Sequence, residues 1–281
     1  DCLLSRGLGD VYKRQHVDRD AERSSSRDIV LCLDVSGSAL PYDRAVIETY
    51  LELVSHFQGE RIALSIFNST SRTVFPLTDD YNLVSSQLTK AADALRGVES
   101  QDDIDKMSDK DYQKIADWLE GTQNRKNSTS LIGDGLVSCA AMIPGFAYGD
   151  TSGAARQRPA SIVLATDNVA SGTPTYSLVQ ALDMAEASHI SVDGLFSGPR
   201  QSEGDATTTE MKRQIESRGG TFLTQSGSSD INELVRQIDS RRTSESRRSS
   251  QAALIDAPGW WTLMLVVLLA IWMILAWRLR R

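Results

Sequence analysis

Histidine is scarce in this chain of 281 residues, which contains only three. His16 lies near the amino terminus, His56 falls in a predicted helix, and His189 leads into a predicted strand. A catalytic triad needs a histidine beside its nucleophile, and a zinc site usually needs several histidines or cysteines together. The separation of the three histidines therefore supports neither a Ser-His-Asp hydrolase nor a histidine metal site.

Cysteine is equally rare, with three residues in the whole chain. Cys32 lies inside a continuous apolar run, and Cys139 lies on the apolar side of a predicted helix. Free cysteine behaves as a small buried apolar residue, and domains built on disulfides contain far more cysteine than this. We therefore expect Cys32 and Cys139 to be core residues, and we predict no disulfide framework.

Long basic runs are absent from the middle of the chain, and the formal net charge is −7. Binding to nucleic acid needs clustered Lys and Arg side chains that face the phosphates. The charge distribution therefore argues against a nucleic-acid partner. The 41% of hydrophobic residues is enough for one substantial core with appended segments.

The amino-terminal segment fits nothing downstream. The string from Asp10 to Gln15 resembles translated adapter sequence found at the ends of metagenomic reads. We interpret residues 1–24 as an artefactual tail and exclude them from reasoning about the fold, with a genuine disordered tail as the alternative. In both cases the natural chain can begin further upstream.

The carboxyl-terminal stretch from Gly259 to Trp277 contains no charged residue. As a helix it would be about 28 Å long, close to the ~30 Å hydrocarbon core of a bilayer. Trp260, Trp261 and Trp277 lie at its ends, where aromatic rings favour the membrane interface. The sequence thus predicts a transmembrane helix over 259–277, an Arg- and Ser-rich linker over 241–258 and a basic tail over 278–281.

Apolar runs alternate with helical patterns between these ends. Ile29 to Leu33 and Ala160 to Ala165 are short and lack polar alternation, which indicates strands buried on both faces. Thr73 to Phe75 follows a polar turn, and Pro76 is expected to end it at a sheet edge. The alternation predicts an α/β fold with a doubly wound, mostly parallel sheet. Further helices are predicted over 43–57, 80–95, 112–119, 132–143, 177–188, 210–218 and 231–238, and further strands over 61–67, 190–196 and 221–224.

Three oxygen-bearing side chains follow the first buried strand. Asp34, Ser36 and Ser38 are expected at its carboxyl end, and Gly37 lets the backbone turn between the two serines. Open α/β sheets bind ligands at this edge. Hard oxygen donors without histidine or thiolate suit Mg²⁺ or Mn²⁺ better than zinc.

A further carboxylate, Asp167, follows the other buried strand. If the two strands are neighbours where the strand order reverses, Asp34 and Asp167 face the same cleft. Two carboxylates at short distance repel each other unless a cation or a proton neutralises one of them. A divalent ion is the simplest neutralising group.

The segment Asp34-Val-Ser-Gly-Ser38 resembles the Asp-x-Ser-x-Ser motif that opens the metal-ion-dependent adhesion site of the von Willebrand factor type A (VWA) family. Ser130 to Asp134 is similar to the family's Thr-x-x-Gly-Asp segment, and Ile162 to Asp167 is similar to its strand ending in Thr-Asp. The resemblance covers residues 25–240 and implies a Rossmann-like VWA fold with one antiparallel edge strand. It also implies that Mg²⁺ or Mn²⁺ is held by Asp34, Ser36, Ser38, Ser130 and Asp167.

The third segment departs from the family pattern, because Ser130 stands where the family has Thr. Thr129 is adjacent, and a shift of one residue would restore Thr, but the spacing to Asp134 favours Ser130. Thr129 and Asp134 are then possible rim residues, and Asp134 can also stabilise the helix dipole from the first turn. A site that no longer binds metal is the alternative.

Residues 97–127 are the part of the domain least like the family. Counted from Asp103, an EF-hand would need Gly and Glu where this chain has Ser108 and Lys114. We interpret the segment as a solvated insertion near the metal rim, with a metal-binding loop as the alternative. Its aspartates include Asp102, Asp103, Asp105, Asp109 and Asp111.

Enzymatic readings find little support in these motifs. A nucleophile elbow needs Gly before the Ser, and Val35 precedes Ser36. A phospho-acceptor role for Asp34 would require an acidic pair and a late Lys, and neither is evident. We therefore predict no catalysis. The resemblance to the VWA family implies instead a Mg²⁺-dependent protein-protein interaction module whose protein ligand donates a carboxylate to the metal.

The predicted anchor makes the chain look like bacterial VWA membrane proteins of the Bat or aerotolerance type. That resemblance implies a MoxR-type AAA+ ATPase and other VWA membrane proteins as partners, and additional amino-terminal membrane helices. A surface adhesin or receptor for extracellular ligands is one alternative, and a subunit of a metal-chelatase-like machine is another.

The charges around the predicted anchor give opposing signals about its orientation. Arg278, Arg280 and Arg281 follow it directly, whereas the arginines at 241–248 precede it at a greater distance. Positively charged residues near a membrane helix favour the cytoplasmic side. We therefore predict a single pass through the cell membrane, with the domain extracytoplasmic.

Overall fold

The sheet is centred on strand β1 (Asp28–Asp34), in which all seven residues are buried. The computed structural model contains a six-stranded sheet in the order β3-β2-β1-β4-β5-β6. Within it β2 and β3 pair antiparallel, and the other pairs are parallel. The predicted fold class, a mostly parallel sheet with an antiparallel edge strand, is confirmed. The remaining strands are β2 (Arg61–Phe67), β3 (Ser71–Thr78), β4 (Ala160–Thr166), β5 (Ile190–Phe196) and β6 (Phe222–Leu223).

The structure describes residues 27–57, 59–98, 100–124, 128–146, 158–169, 171–224, 236 and 259–279. The chain divides into two units, Asp1–Arg242 and Thr243–Arg281. The predicted tail over 1–24, the linker over 241–258 and most of the helix predicted over 231–238 lie outside the described residues. The domain boundaries therefore stay predictions.

Helix α1 (Leu40–Ser55) begins three residues before its predicted start. Pro41 lies in its first turn, where proline is favoured because its missing N–H would have no partner within the helix. Val46, Tyr50 and Leu53 recur on its buried face. The other helices are α2 (Tyr81–Ala94), α3 (Gln101–Asp105), α4 (Asp109–Leu119), α5 (Ile132–Ala141), α6 (Leu178–Ala187), α7 (Ala206–Glu216) and α8 (Gly259–Leu279), with a 3₁₀ turn at Arg200–Ser202.

Two apolar layers cover the faces of β1. Ile29, Leu31 and Leu33 point into the layer that contains residues of α1 and α2. Val30 and Cys32 point into the opposite layer, with residues of α5 and α6. Alternation of side chains along a strand explains how one continuous apolar run serves two cores.

Cys32 and Cys139 form a disulfide bond, so the prediction of two free core cysteines is wrong. Both residues are fully buried and belong to the same apolar layer, Cys32 from β1 and Cys139 from α5. Sequence periodicity correctly placed each residue on a buried face. It gave no information about the distance between the two faces.

Strand β3 continues through Pro76, contrary to the prediction that this residue ends it. The pairing with β2 is irregular there, because Ile62 pairs with Thr78 and Leu64 pairs with Phe75. The extra residue on β3 is a bulge, and β3 has no second neighbour in the sheet. Proline is tolerated at such a position because an edge strand does not need every N–H.

The insertion over 97–127 contains two helices, α3 and α4. Ile115 and Trp118 of α4 pack into the main core, so the segment is not simply a solvated surface loop. The Arg72 guanidinium lies 5.7 Å from the centre of the Trp118 ring and donates a hydrogen bond of 2.6 Å to the Trp118 carbonyl. Asp111 is bonded to Ser108 and Lys114, which fits a capped helix rather than a calcium loop.

The second unit contributes α8, in which side chains are described from Met264 to Arg278. Within the described part of the chain, no helix meets the combined length and hydropathy that a membrane span requires. The structure therefore does not show the transmembrane helix that the sequence predicts over 259–277.

Candidate metal centre

Asp34 is the last residue of β1 and is completely buried. One carboxylate oxygen, Oδ1, accepts a hydrogen bond of 3.0 Å from the backbone N–H of Ser36. The other, Oδ2, accepts from the hydroxyls of Ser130 at 2.5 Å and Thr166 at 2.7 Å. Asp34 thus joins three segments: its own loop, the segment before α5 and the end of β4.

The loop after β1 carries the two serines of the motif. Ser36 is buried and Ser38 is exposed, and their hydroxyl oxygens lie 3.4 Å apart. The Ser36 carbonyl accepts from the N–H groups of Ala39 and Leu40, which closes the turn that leads into α1. The Ser38 hydroxyl also lies close enough to the Asp167 carboxylate to lower its pKa. The turn therefore brings both serine hydroxyls to the same sheet edge.

Ser130 has a backbone φ of 49°, in the left-handed region that few residues other than glycine adopt. Asn68 holds it there. The Asn68 side-chain oxygen accepts from the Ser130 N–H at 2.9 Å, and the Asn68 carbonyl accepts from the Leu131 N–H at 2.9 Å. Asn68 was assigned only to a polar turn from the sequence, because a contact across 62 positions leaves no local pattern.

The two candidate hydroxyls in this segment have different environments. Thr129 is exposed, and its backbone forms an antiparallel bridge with Ser171. Ser130 is fully buried, and its hydroxyl bonds to Asp34. The structure therefore brings Ser130 to Asp34 and uses the Thr129 backbone to hold the loop after β4.

Asp134 ties down the segment that precedes α6. Its two carboxylate oxygens accept from the backbone N–H groups of Thr175, at 3.1 Å, and Tyr176, at 2.8 Å. Gly133 permits this contact, since a Cβ at its position would lie 2.0 Å from the Tyr176 carbonyl oxygen. The Gly-Asp pair is thus explained by packing, and a rim role for Asp134 stays a prediction.

The end of β4 supplies the remaining polar groups. β1 and β4 are parallel neighbours, so Thr166 and Asp167 emerge beside Asp34. The Thr166 hydroxyl donates to Asp34 and accepts from the Asn168 N–H at 3.0 Å. The Asp167 carboxylate accepts from the Val169 N–H at 2.9 Å. Thr166 was not among the predicted site residues, although it belongs to the Thr-Asp pair that ends the strand.

The electrostatics of the site are those of buried carboxylates with neutral partners. Burial, and to a lesser extent the charge of Asp167, raise the pKa of Asp34 to about 6, although its hydrogen-bond donors act in the opposite direction. Burial also raises the pKa of Asp167, against the lowering effect of the Ser38 hydroxyl. The groups that stabilise the Asp34 carboxylate are hydroxyls and one N–H rather than a cation.

This donor set consists of carboxylate and hydroxyl oxygens, which suit a hard divalent ion. In the described residues, no group of three or more His, Cys, Asp or Glu side chains is arranged to hold a metal. A metal at this edge would therefore depend on the hydroxyls of Ser36, Ser38 and Ser130 as well as on the carboxylates. A transition-metal site built on nitrogen or sulfur has no ligands here.

Comparisons with known proteins give structural matches. No protein-family model matches the chain, and no curated protein matches it. The chain is similar to the structure of the conserved hypothetical protein BatB from Bacteroides thetaiotaomicron, with 16% identity, a TM-score of 0.49, and coverage of 78% of this chain and 99% of that one. An aerotolerance-related membrane protein from Bacteroides fragilis matches with 16% identity, a TM-score of 0.43, and coverage of 75% and 99%.

A third similar structure is proximal thread matrix protein 1 from the mussel byssus, solved with a zinc-occupied MIDAS motif. It matches with 16% identity, a TM-score of 0.45, and coverage of 76% of this chain and 48% of that one. The first two structures carry names of the Bat or aerotolerance type, the type that the predicted anchor suggested, and a likeness at this level assigns no role to this chain. At these identities and TM-scores, the case for a site in this chain rests on its own residues.

Proposed function

We propose that this chain is a VWA-domain protein that binds a divalent cation, Mg²⁺ or Mn²⁺, and through it a protein ligand. The observation that carries the proposal is the environment of Asp34. Its carboxylate is fully buried, lies near Asp167 and, among the residues that the structure describes, has only hydroxyl and N–H partners. A buried carboxylate without a cation is costly, because burial disfavours its charged form.

Asp34, Ser36, Ser38, Ser130 and Asp167 are the proposed ligands of this ion. Their hydroxyls and carboxylates converge on one sheet edge, and Ser38 is exposed there. Ser36 and Ser38 would bind the ion directly, and Ser130, Asp34 and Asp167 would bind it directly or through water. An ion that prefers six oxygens then keeps some water and has a position open to the outside, where Mg²⁺ tolerates substitution of a water by a carboxylate. The bound ion would supply the positive charge that recruits an acidic residue of the partner protein. The module has no catalysis of its own in this proposal.

The partner would also contact the insertion. A cavity of about 400 Å³ lies next to the serine loop, and its lining includes Gly37 and Leu40 on one side and Ile115 and Leu119 of α4 on the other. Apolar side chains next to the proposed carboxylate contact favour a ligand that carries an apolar residue near its acidic one.

Melting curves with added Mg²⁺ or Mn²⁺ test the metal site. A ligand that binds only the folded state raises the melting temperature as its concentration rises. Ser38→Ala should weaken this response, and Ser86→Ala, an exposed serine on α2, is the matched control. Wild-type melting curves that do not move with saturating Mg²⁺ or Mn²⁺ would falsify the proposal.

Partner capture tests the interaction function. Protein captured from detergent-solubilised membranes by the wild type should be lost in EDTA and with Asp167→Ala. Recovery of a MoxR-type AAA+ ATPase would support the Bat-type role, and recovery of an extracellular ligand would support the alternative of a surface adhesin or receptor. Capture that survives both treatments would show that the protein binds through another surface.

We also propose that the chain is anchored in the cell membrane by 259–277, with the domain extracytoplasmic. This rests on the run without charged residues and on the arginines that follow it. The Cys32–Cys139 disulfide supports the orientation, because disulfides persist in oxidising compartments and are rare in the cytosol. Protease added to intact spheroplasts should digest the domain, and full protection would reverse the orientation.

A further inference from the structure

Asp43 is a buried carboxylic acid in the first turn of α1 that the proposed ligand set does not include. It has no solvent exposure. Its Oδ1 accepts a long hydrogen bond of 3.4 Å from the Ser197 hydroxyl. Its Oδ2 is buried and has no hydrogen-bond partner among the described residues. The helix dipole favours an acid in the first turn, but it does not explain a fully buried one, and Asp43 lies on the face of α1 that also carries Val46 and Tyr50.

Two other buried aspartates in the same domain show how such groups are normally satisfied. Asp28 is paired with the Arg61 guanidinium through two hydrogen bonds, of 2.8 and 2.7 Å. Asp193 is fully buried and accepts from the Thr221 N–H at 2.8 Å. An unsatisfied buried polar atom costs about 1–3 kcal/mol, and a charged one costs more. Asp43 therefore needs an explanation that its protein neighbours do not supply.

The position of Asp43 supplies one. Ser197, its hydrogen-bond donor, directly follows β5, and the Ser197 N–H bonds to the Thr166 carbonyl at the end of β4. Burial raises the pKa of Asp43 well above its usual range, and the nearby charges of Asp34 and Asp167 raise it further. Asp43 thus lies close to the carboxylates of the proposed metal centre, to which Ser197 also links it.

Direct coordination is not the role that this arrangement favours. Asp34, Asp43 and Asp167 do not form a set of three acidic ligands in the described structure. Mg²⁺ usually keeps several of its waters, and water bound to a cation is a strong hydrogen-bond donor. Carboxylates that accept from such waters fix the orientation of the metal's ligands and tune its affinity.

We propose that Asp43 belongs to the metal centre as a hydrogen-bond acceptor for water bound to the divalent ion. The proposal rests on the metal binding proposed above. It assigns the buried oxygen of Asp43 a partner, and it makes α1 a third element, besides β1 and β4, that contributes a carboxylate to the site. Asp43 is a positioning residue in this role, because it acts on the ion through water.

Isothermal titration of the intact domain with Mg²⁺ tests the assignment in wild type, Asp43→Asn and Asp193→Asn. Loss of an outer-shell partner typically lowers metal affinity by about 10- to 100-fold, and we expect a loss in that range for Asp43→Asn. Asp193→Asn removes an equally buried carboxylate that has a backbone partner. It should lower the melting temperature in EDTA and leave the Mg²⁺ affinity unchanged.

Ser197→Ala provides a second variant, since it removes the hydroxyl that holds Asp43 without changing the charge. We expect a several-fold weaker Mg²⁺ affinity, so the assignment can be tested even if Asp43→Asn does not fold. Wild-type affinity in a folded Asp43→Asn, or in Ser197→Ala, would overturn the assignment and leave the metal site itself standing. An equal loss in Asp193→Asn would also overturn it. Absence of Mg²⁺ binding in wild type would overturn both proposals.

Discussion

Strand β1 has an aspartate at each end, and the two are satisfied in opposite ways. Asp28, at the amino end, is 2% exposed and is paired with Arg61. A second arginine, Arg158, lies 3.7 Å from the Asp28 carboxylate. Asp34, at the carboxyl end, is 0% exposed and is surrounded by hydroxyl groups and one N–H. Both are buried carboxylates on the same strand, so burial alone does not separate them.

The difference lies in where the compensating positive charge comes from. At the amino end the protein itself supplies that charge, through Arg61 and Arg158. At the carboxyl end the described residues supply dipoles only, which stabilise a carboxylate without neutralising it. A structural role needs a complete pair, whereas a binding site needs a charge deficit that a ligand can fill. The four predictions that follow test this contrast, from the largest expected effect to the smallest.

Asp28→Ala should produce the largest loss of stability. Removing one partner of a buried ion pair leaves the other charge uncompensated and typically costs about 3–5 kcal/mol; we expect roughly 3, because the Arg61 side chain is 33% exposed. Urea unfolding measures it. The exposed pair of Arg44 and Glu48 is the control, and Arg44→Ala should cost less than about 1 kcal/mol. Equal effects of the two substitutions would show that the Asp28–Arg61 ion pair does not stabilise the amino end of β1 in the way described.

Asp34→Asn should remove the stabilisation by Mg²⁺. The wild type should gain about 2.7 kcal/mol at a Mg²⁺ concentration 100 times the Kd, since the ion binds the folded state. The variant should gain nothing, because the ion loses a carboxylate ligand. Glu52→Gln, an exposed charge removal on α1, should keep the full gain in the same melting experiment. A full gain in Asp34→Asn would place the ion elsewhere.

The stability of the metal-free protein and the stabilising effect of Mg²⁺ should change with pH in opposite directions. Asp34 has a pKa of about 6 in the folded protein against an ordinary 3.8, so the folded state binds its proton more tightly. In EDTA, stability should therefore fall by roughly 2 kcal/mol as pH rises from about 4 to 6, and then level off. Mg²⁺ requires the carboxylate, so its stabilising effect should grow over the same range. Urea unfolding at several pH values measures both, and a metal effect that is constant between pH 4 and 7 would contradict this.

Ser130→Ala should reduce stability and Mg²⁺ binding more than Thr129→Ala does, and this is the smallest of the four expected effects. Ser130→Ala removes a hydroxyl from the buried Asp34 carboxylate and should cost about 1–2 kcal/mol as well as weaken Mg²⁺ binding. Thr129→Ala changes an exposed side chain and should stay within about 0.5 kcal/mol with unchanged binding. Melting curves with and without Mg²⁺ compare them. A larger effect of Thr129→Ala would assign the third hydroxyl ligand to Thr129 instead of Ser130.

The sheet could be predicted from the sequence because its evidence is local. The continuous apolar runs of β1 and β4 indicate buried parallel strands wherever they pack, and the motif at the end of β1 is contiguous. Ser130 could be chosen over Thr129 as the third hydroxyl because its spacing to Asp134 is also a local feature of the sequence. These inferences depend on the order of residues over a few positions, which a sequence displays directly.

The features that were missed all depend on contacts between distant segments. Cys32 pairs with Cys139 across 107 positions, Asn68 holds Ser130 across 62, and Ser197 meets Asp43 across 154. Burial can be read from periodicity, but the partner of a buried group cannot. Asp43 did carry a signal, since an acid at an apolar position of an amphipathic helix is unusual.

The disulfide has a topological consequence. It closes a covalent ring that starts in β1, passes through β2, β3 and the insertion, and returns through α5. A protease that cuts a surface bond in α3 or α4 would open this ring without releasing a fragment. Both pieces would migrate together until a reductant separated them. The insertion next to the proposed ligand-binding edge can therefore be cleaved while the two resulting pieces of the chain stay joined by the disulfide between β1 and α5.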